Sequence, residues 1–197
     1  MEVFMSESDA VIQKLNQAVQ LIESCAELVL LVPEVRTNIV FALPDASTPA
    51  DVAAVDGRIT VVNNRPKAAG PVRFGASDHL ARFVLELRRF APAVRSAVNF
   101  RWNERIRKVV EKWAGQHGFR IGIIDRSREP KELLGKDRMS VPWKVEQVLQ
   151  STGGIVPEVV SETSGWGKEP MFILLGPEPV VVAQRLVDIA RIYHQSA

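Results

Sequence analysis

Three short stretches carry residue types that could act on a phosphorylated substrate. "VDGRI" places Arg58 directly behind Gly57, "GASDH" sets Gly75, Ala76 and Ser77 ahead of Asp78 and His79, and "ETSGWGKEPM" flanks Trp166 with glycines before Lys168 and Glu169. A guanidinium offers a planar fork of N–H donors that matches phosphate oxygens. Taken alone, Arg58 is better read as an ordinary charge at the start of a strand. The small residues of "GAS" would let backbone amides approach an anion at the positive end of a helix. A serine-capped turn from strand to helix explains the same residues, and their spacing by itself argues for nothing more. His79 falls in the first helical turn, where the helix field disfavours an imidazolium and is expected to keep the ring neutral near pH 7. In a cleft such a ring could donate or accept one proton; on an open surface it is merely solvated. Lys168 could bring a cation to phosphate, but its loop lacks the Walker spacing and the Ser/Thr that follows it, so nucleotide hydrolysis is not indicated. Glu169 either meets Mg²⁺ through a diphosphate or pairs with a basic neighbour.

Other chemistries lack their residues. The sequence contains no His-Glu-x-x-His pattern, no Gly-x-Ser-x-Gly elbow and no GxGxxG fingerprint. A single cysteine, Cys25, rules out an internal disulfide and a Cys-rich metal site, and its expected place is a helix core. His117 and His194 stand near expected helix C-termini, where a partly protonated ring complements the dipole, so both are read as structural.

The elements that must position these groups follow from hydrophobic periodicity. Val11, Leu15, Ala18, Ile22, Ala26 and Val29 recur at spacings of three and four, which predicts one helix over 9–31 behind Ser8 and Asp9 and stopped by Pro33. "TNIVFALP" and "GRITVV" read as strands separated by the turn-rich "DASTPAD"; "PVRF" is a short strand. A helix follows with Ser77 as its cap and Leu80, Phe83, Val84 and Leu87 as its buried stripe. "AVNFRW" is a strand, Asn103 caps the next helix, Gly118 ends it, and "FRIGIID" returns as a strand. Pro142 is expected to open a helix ended by Gly153 and Gly154; "IVPEVV" and "PMFILL" are strands, and 179–193 forms the last helix. Interleaved helices and strands with several tight links predict an α/β chain packed as a three-layer α/β/α sandwich around a mixed central sheet.

The bulk properties narrow the setting. With 197 residues, 46% hydrophobic, and neither repeat nor low-complexity tract, the chain is read as a single domain over 1–197. A formal charge of +2 does not imply a phosphate-coating surface, although Arg88, Arg89, Arg95, Arg101, Arg105, Arg107 and Lys108 crowd the middle, so neither nucleic acid nor a membrane is expected as a partner. The acidic "MEVFMSESDA" start and a longest apolar run of only "LVLLV" fit a soluble, unexported, cytoplasmic protein.

Taken in order, "VPEVRTNIVFALPDASTPADVAAVDGRI", "PVRFGASDHLAR", "AVNFRW", "IIDRSREP" and "GKEPM" resemble the archaeal-type thiamine phosphate synthase family, the ThiN domain, over about 10–193. The resemblance implies a transferase that joins 4-amino-5-hydroxymethyl-2-methylpyrimidine diphosphate to hydroxyethylthiazole phosphate and releases pyrophosphate. It implies a fold similar to the class II aldolase/adducin type and Mg²⁺ carried by the diphosphate substrate. It also implies relatives fused behind a hydroxymethylpyrimidine kinase; a second copy of the chain is a further candidate partner. Carried over by motif, Arg58 and His79 look like the catalytic pair. Gly75, Ala76, Ser77, Asp78, Gly167, Lys168, Glu169, Asn38, Arg101 and Asp125 look like substrate and phosphate contacts. The chain departs from the family at Glu162, where an Asp is more usual, and at Ser164 and Lys144, where a glycine is.

A bond-breaking role suits the pair, since charge grows on a departing pyrophosphate and fixed cationic donors act most strongly there. The alternative is a sensor domain of a transcriptional regulator that binds thiamine phosphate without making it. Against it, residues 1–32 offer one long helix where a helix-turn-helix needs two. An aldolase-like metal enzyme would want a histidine cluster that three scattered histidines do not supply.

Overall fold

A computed structural model describes residues 6–133, 135, 137–165 and 167–196, the side chain of Asp137 excepted; Trp166 lies outside the described residues. In chain order the elements are α1 (Glu7–Ser24), β1 (Ile39–Ala42), β2 (Val52–Val55), β3 (Ile59–Val62), β4 (Arg65–Ala68), β5 (Val72–Phe74), α2 (His79–Arg88), β6 (Ser96–Arg101), α3 (Glu104–His117), β7 (Ile121–Ile124), α4 (Asp137–Thr152), β8 (Val159–Glu162), β9 (Met171–Gly176) and α5 (Pro179–Gln195). Seven strands form one sheet in the order β5-β2-β1-β6-β9-β8-β7, while β3 and β4 form a separate ribbon. Neighbours in the large sheet are antiparallel except β7 and β8, which run parallel. The sheet is therefore mixed, and the parallel pair requires the crossover that α4 supplies.

Alternation along each strand builds a core on both faces. In β1, Ile39 and Phe41 join α1, α3 and α5 on one side, whereas Val40 and Ala42 join α2 and α4 on the other. Helices on both faces give the three-layer α/β/α packing. Each fully covered Leu or Ile, such as Leu15 and Ile22 of α1, contributes about 1.5–3 kcal/mol. The helix α4 lies so close to β7 that a Cβ on Gly122 would sit 2.9 Å from Val148 Cγ1 and 2.8 Å from Pro157 Cγ.

Several expected boundaries move. The helix read over 9–31 ends at Ser24, breaks at Cys25 in extended backbone, and resumes as a 3₁₀ turn over Ala26–Leu31. With three residues per turn, that turn stacks Leu28 and Leu31 onto the core in place of Ala26 and Val29. Ser6 caps the helix, its Oγ accepting the Asp9 N–H at 3.1 Å. The α2 cap position is Asp78, not Ser77. Pro142 stands inside α4, because the helix begins one turn earlier, at Asp137. The strand β2 was hidden by its alanines, which have weak strand preference yet leave room for helices on both sides of a buried strand. Asn103 and Gly118 do cap α3, through a 2.7 Å bond to the Ile106 N–H and a φ of +68°.

Candidate active site

Two adjoining hollows of about 270 and 290 Å³ share Val35, Arg58, His79 and Met171. One continues along Asn38, Ala76, Ser77, Asp78, Leu80 and Asn99; the other along Arg126, Lys144, Glu162, Gly167, Lys168 and Glu169. Together they make a cleft with Arg58 and His79 where its halves meet. A larger hollow of about 410 Å³ between α2, α4 and the 46–49 turn contains Arg82, Arg89 and Arg138. These arginines are already matched by carboxylates, Arg82 and Arg138 by Asp78 and Arg89 by Glu86.

Arg58 occupies a costly backbone position. Gly57 and Arg58 both have left-handed backbone, with φ of +71° and +70°. Glycine takes that conformation freely, whereas a side chain there costs roughly 1–2 kcal/mol. The reward is placement. Ile59 exchanges two backbone hydrogen bonds with Thr37, at 2.7 and 3.1 Å, which ties the ribbon to the segment before β1. The guanidinium Nη1 then donates to the Val35 carbonyl. Val35 is itself held from across the cleft: the Glu169 carboxylate accepts the N–H groups of Glu34 and Val35, each at 3.1 Å.

In "GASDH", Gly75 turns the chain out of β5 at φ +71° and donates its N–H to Val52 O. Among the described residues the amides of Ala76 and Ser77 have no hydrogen-bond partner, and both residues line the cleft just ahead of α2. Asp78 spends its carboxylate on Arg82 at 3.0 Å and Arg138 at 3.3 Å. Opposite, Gly165 and Lys168 exchange backbone hydrogen bonds at 3.2 and 3.0 Å, a tight reversal with Gly167 at φ +65° that brings Lys168 to the cleft wall. Gly165 packs closely there, since a Cβ would lie 3.3 Å from Arg126 Cβ.

Behind His79 lies a buried ionic cluster. The Lys144 Nζ is 2.9 Å from His79 Nε2 and 2.9 Å from Glu162 Oε1. Arg126 binds the same Glu162 oxygen and reaches both Glu129 oxygens, at 2.9 and 2.8 Å. Two cations and two carboxylates balance one another in a site where their side chains are 1–3% exposed. Burial lowers the Lys144 pKa from its ordinary value; Glu162 opposes that shift and Arg126 adds to it. Burial alone would raise Glu162, but Lys144 and Arg126 together hold its carboxyl below the usual range. Its second oxygen, Oε2, is buried and has no hydrogen-bond partner among the described residues.

Not every expected contact reaches the cleft in usable form. Asn38 lines it, but its side chain is committed to backbone: Oδ1 accepts from Ile39 and Val55, and Nδ2 donates to Val55 O. It stitches β1 to β2. Arg101 ends β6 opposite Met171, and Asp125 accepts from Ser127 and pairs with Arg128 at 3.2 Å; neither lines the cleft. Sequence reasoning passed over Arg126, and noted Lys144 and Glu162 only as departures. A signal did exist: Val141, Lys144, Val145 and Val148 share one helical face, so a lysine stands in a core stripe. Likewise Glu162 sits two residues after buried Val160, on the same face of β8.

Among the described residues no group of three His, Cys, Asp or Glu side chains could hold a metal ion. Among the described residues the cleft carboxylates of Asp78 and Glu169 are engaged by arginines and by backbone amides respectively. No helix among the described residues is long and apolar enough to cross a membrane.

Comparison with known proteins finds relatives over most of the chain. The family model described as thiamine-phosphate synthase ThiN matches residues 14–188. The chain is 38% identical over 182 residues to thiamine-phosphate synthase ThiN of Methanothermobacter thermautotrophicus, covering 92% of this chain and 93% of that one. It is 30% identical to the bifunctional thiamine biosynthesis protein ThiDN of Methanocaldococcus jannaschii, spanning 94% of this chain but 42% of that longer one. The crystal structure of the C-terminal domain of a phosphomethylpyrimidine kinase superposes with a TM-score of 0.85 at 38% identity, covering 91% of this chain and 98% of that domain. A sugar-phosphate aldolase from Thermotoga maritima reaches a TM-score of 0.46 at 12% identity, covering 92% of this chain and 95% of that one. The chain thus belongs to the thiamine-phosphate synthase ThiN family, a family of transferases.

Proposed function

We propose that the cleft couples 4-amino-5-hydroxymethyl-2-methylpyrimidine diphosphate to hydroxyethylthiazole phosphate, forming thiamine phosphate and releasing pyrophosphate. The observation that carries this reading is the meeting of Arg58 and His79, from separate elements, where the two halves of one cleft join. The carbon–oxygen bond of the diphosphate ester breaks, its electron pair leaves with the pyrophosphate, and the thiazole nitrogen supplies the pair that forms the new carbon–nitrogen bond. No protein nucleophile is needed. What the protein must supply is positive potential and hydrogen-bond donors aimed at the oxygens where negative charge gathers.

Arg58 fills that part with its guanidinium, swung into place by strained backbone, and Lys168 adds an ammonium from the opposite wall. The unpartnered amides of Ala76 and Ser77 offer two more donors at the start of α2. His79 donates a hydrogen bond to the leaving group. Glu169 orients the turn bearing Val35, and through it Arg58, and so takes a supporting role distinct from ion binding. Mg²⁺ would enter as a companion of the diphosphate, sharing its charge. The setting is the cytoplasm, with the chain acting alone or as part of a kinase fusion.

The test is turnover of the Arg58→Ala variant, followed by pyrophosphate release from the two precursors. Removal of one preorganised charge-stabilising donor is expected to lower kcat by about 10²–10³-fold. Full turnover in a folded variant refutes the assignment. A sensor would bind thiamine phosphate yet release no pyrophosphate even as wild type.

A further inference from the structure

We propose that Lys144 is a positioning residue for His79: its ammonium donates to Nε2 and thereby fixes the imidazole as the Nδ1–H tautomer. An ammonium carries three donors and no acceptor, so a ring nitrogen 2.9 Å from it must present a lone pair. A neutral imidazole has one ring proton, which is then confined to Nδ1. Free in water, histidine prefers the opposite form, with the proton on Nε2.

The surroundings keep the lysine in this part. Glu162 Oε1 accepts from Nζ at 2.9 Å, and Glu162 is in turn fixed by Arg126, which is anchored by Glu129. The chain of contacts runs from β8 and the turn after β7 through α4 to the first residue of α2. Other charged groups around the ring are Arg58, Lys168 and Glu169 across the cleft and Asp78 beside it. Of these, Asp78 is engaged with Arg82 and Arg138, and Glu169 with backbone amides.

Stability does not explain this lysine. It stands in the stripe of Val141, Val145 and Val148, where apolar side chains in place of both Lys144 and Glu162 would leave Arg126 balanced by Glu129 and two fewer charges to desolvate. Replacing buried ion pairs by apolar residues is often neutral or stabilising. What an aliphatic residue cannot do is hold the imidazole proton on a chosen nitrogen.

The inference rests on the reading of His79 as a group that meets the leaving pyrophosphate, and the experiment separates the two. ¹⁵N spectra of the histidine rings, with the His79 signals assigned by their loss in His79→Gln, report the tautomer directly. Wild type is expected to show Nδ1–H at His79, and Lys144→Met to revert to Nε2–H. In the same variant kcat should fall at least about 10–100-fold, the scale for losing a hydrogen-bond partner that fixes a histidine ring's tautomer and orientation, with KM for both substrates within about twofold. An Nε2–H tautomer in wild type, or one unchanged by Lys144→Met, overturns the proposal. If Lys144→Met does not fold, the wild-type spectrum alone decides. Full turnover in His79→Asn would instead remove the catalytic reading of His79 and leave the tautomer result standing.

Discussion

Replacing Glu162 by Gln tests the electrostatics beneath the cleft, and its consequence can be worked out in magnitude. In the wild type, Arg126 and Lys144 are balanced by Glu129 and Glu162, all at 1–3% exposure. Glu162→Gln leaves one unmatched positive charge in that volume. Arg126 keeps Glu129, so the deficit falls on Lys144. Breaking a buried pair from one side costs about 3–5 kcal/mol. There is also a ceiling, because the lysine can shed its proton. From its ordinary pKa of 10.5, deprotonation at pH 7 costs about 5 kcal/mol at 1.36 kcal/mol per unit. Once it does so, the folded variant binds one proton fewer than the unfolded chain. Its stability then rises with pH by about 1.4 kcal/mol per unit up to the lysine's unfolded pKa. Urea unfolding followed by circular dichroism at pH 7 and pH 9 measures both quantities. A loss of about 3–5 kcal/mol at pH 7, shrinking by about 2–3 kcal/mol at pH 9, is expected. The double variant Lys144→Met/Glu162→Gln, which restores neutrality, should recover most of it. A Glu162→Gln loss below about 1 kcal/mol, or one indifferent to pH, refutes the picture of a mutually dependent buried cluster.

Further expectations concern backbone strain, close packing and acid. Arg58→Gly should unfold at higher urea than Arg58→Ala, by about 1 kcal/mol, because only glycine relieves the left-handed backbone, while both lose turnover alike. Gly122→Ala forces a Cβ to 2.8–2.9 Å from Pro157 and Val148, and should cost about 1–3 kcal/mol in a denaturation series. Glu169→Ala removes the acceptor of two amides beside the carbonyl that Arg58 engages, and kcat is expected to fall about 10–100-fold through misplacement. Below the ordinary carboxylate value of 4.5, wild type should lose the contribution of Glu162 as pH falls through its lowered folded pKa. Glu162→Gln should lack that component of the acid transition.

Much of the fold could be read from local pattern. Asn103 and Gly118 mark the ends of α3 because a cap and a left-handed stop are satisfied within a few residues. The stripes of α2 and α5 are equally legible, since one buried face repeats at helical spacing. Where packing overrides pattern, the reading slips. The N-terminal helix breaks at Cys25 so that Leu28 and Leu31 can reach the core, and the alanines of β2 form a strand only because both its edges find partners.

The sequence by itself determined that a basic residue after Gly57, a small-residue turn ahead of His79 and a glycine-flanked lysine exist at element boundaries, and their order identified the family. Each is a property of neighbours in the chain, where turn chemistry and helix starts act locally. Only the tertiary structure decided that Arg58 and His79 face one cleft, that Glu169 staples a turn, and that Lys144, Glu162 and Arg126 converge behind the imidazole. A charge buried between α4, β8 and the turn after β7 is tolerated only when its counter-charge arrives from another element. That match depends on how helices dock on the sheet, which spacing along the chain does not encode.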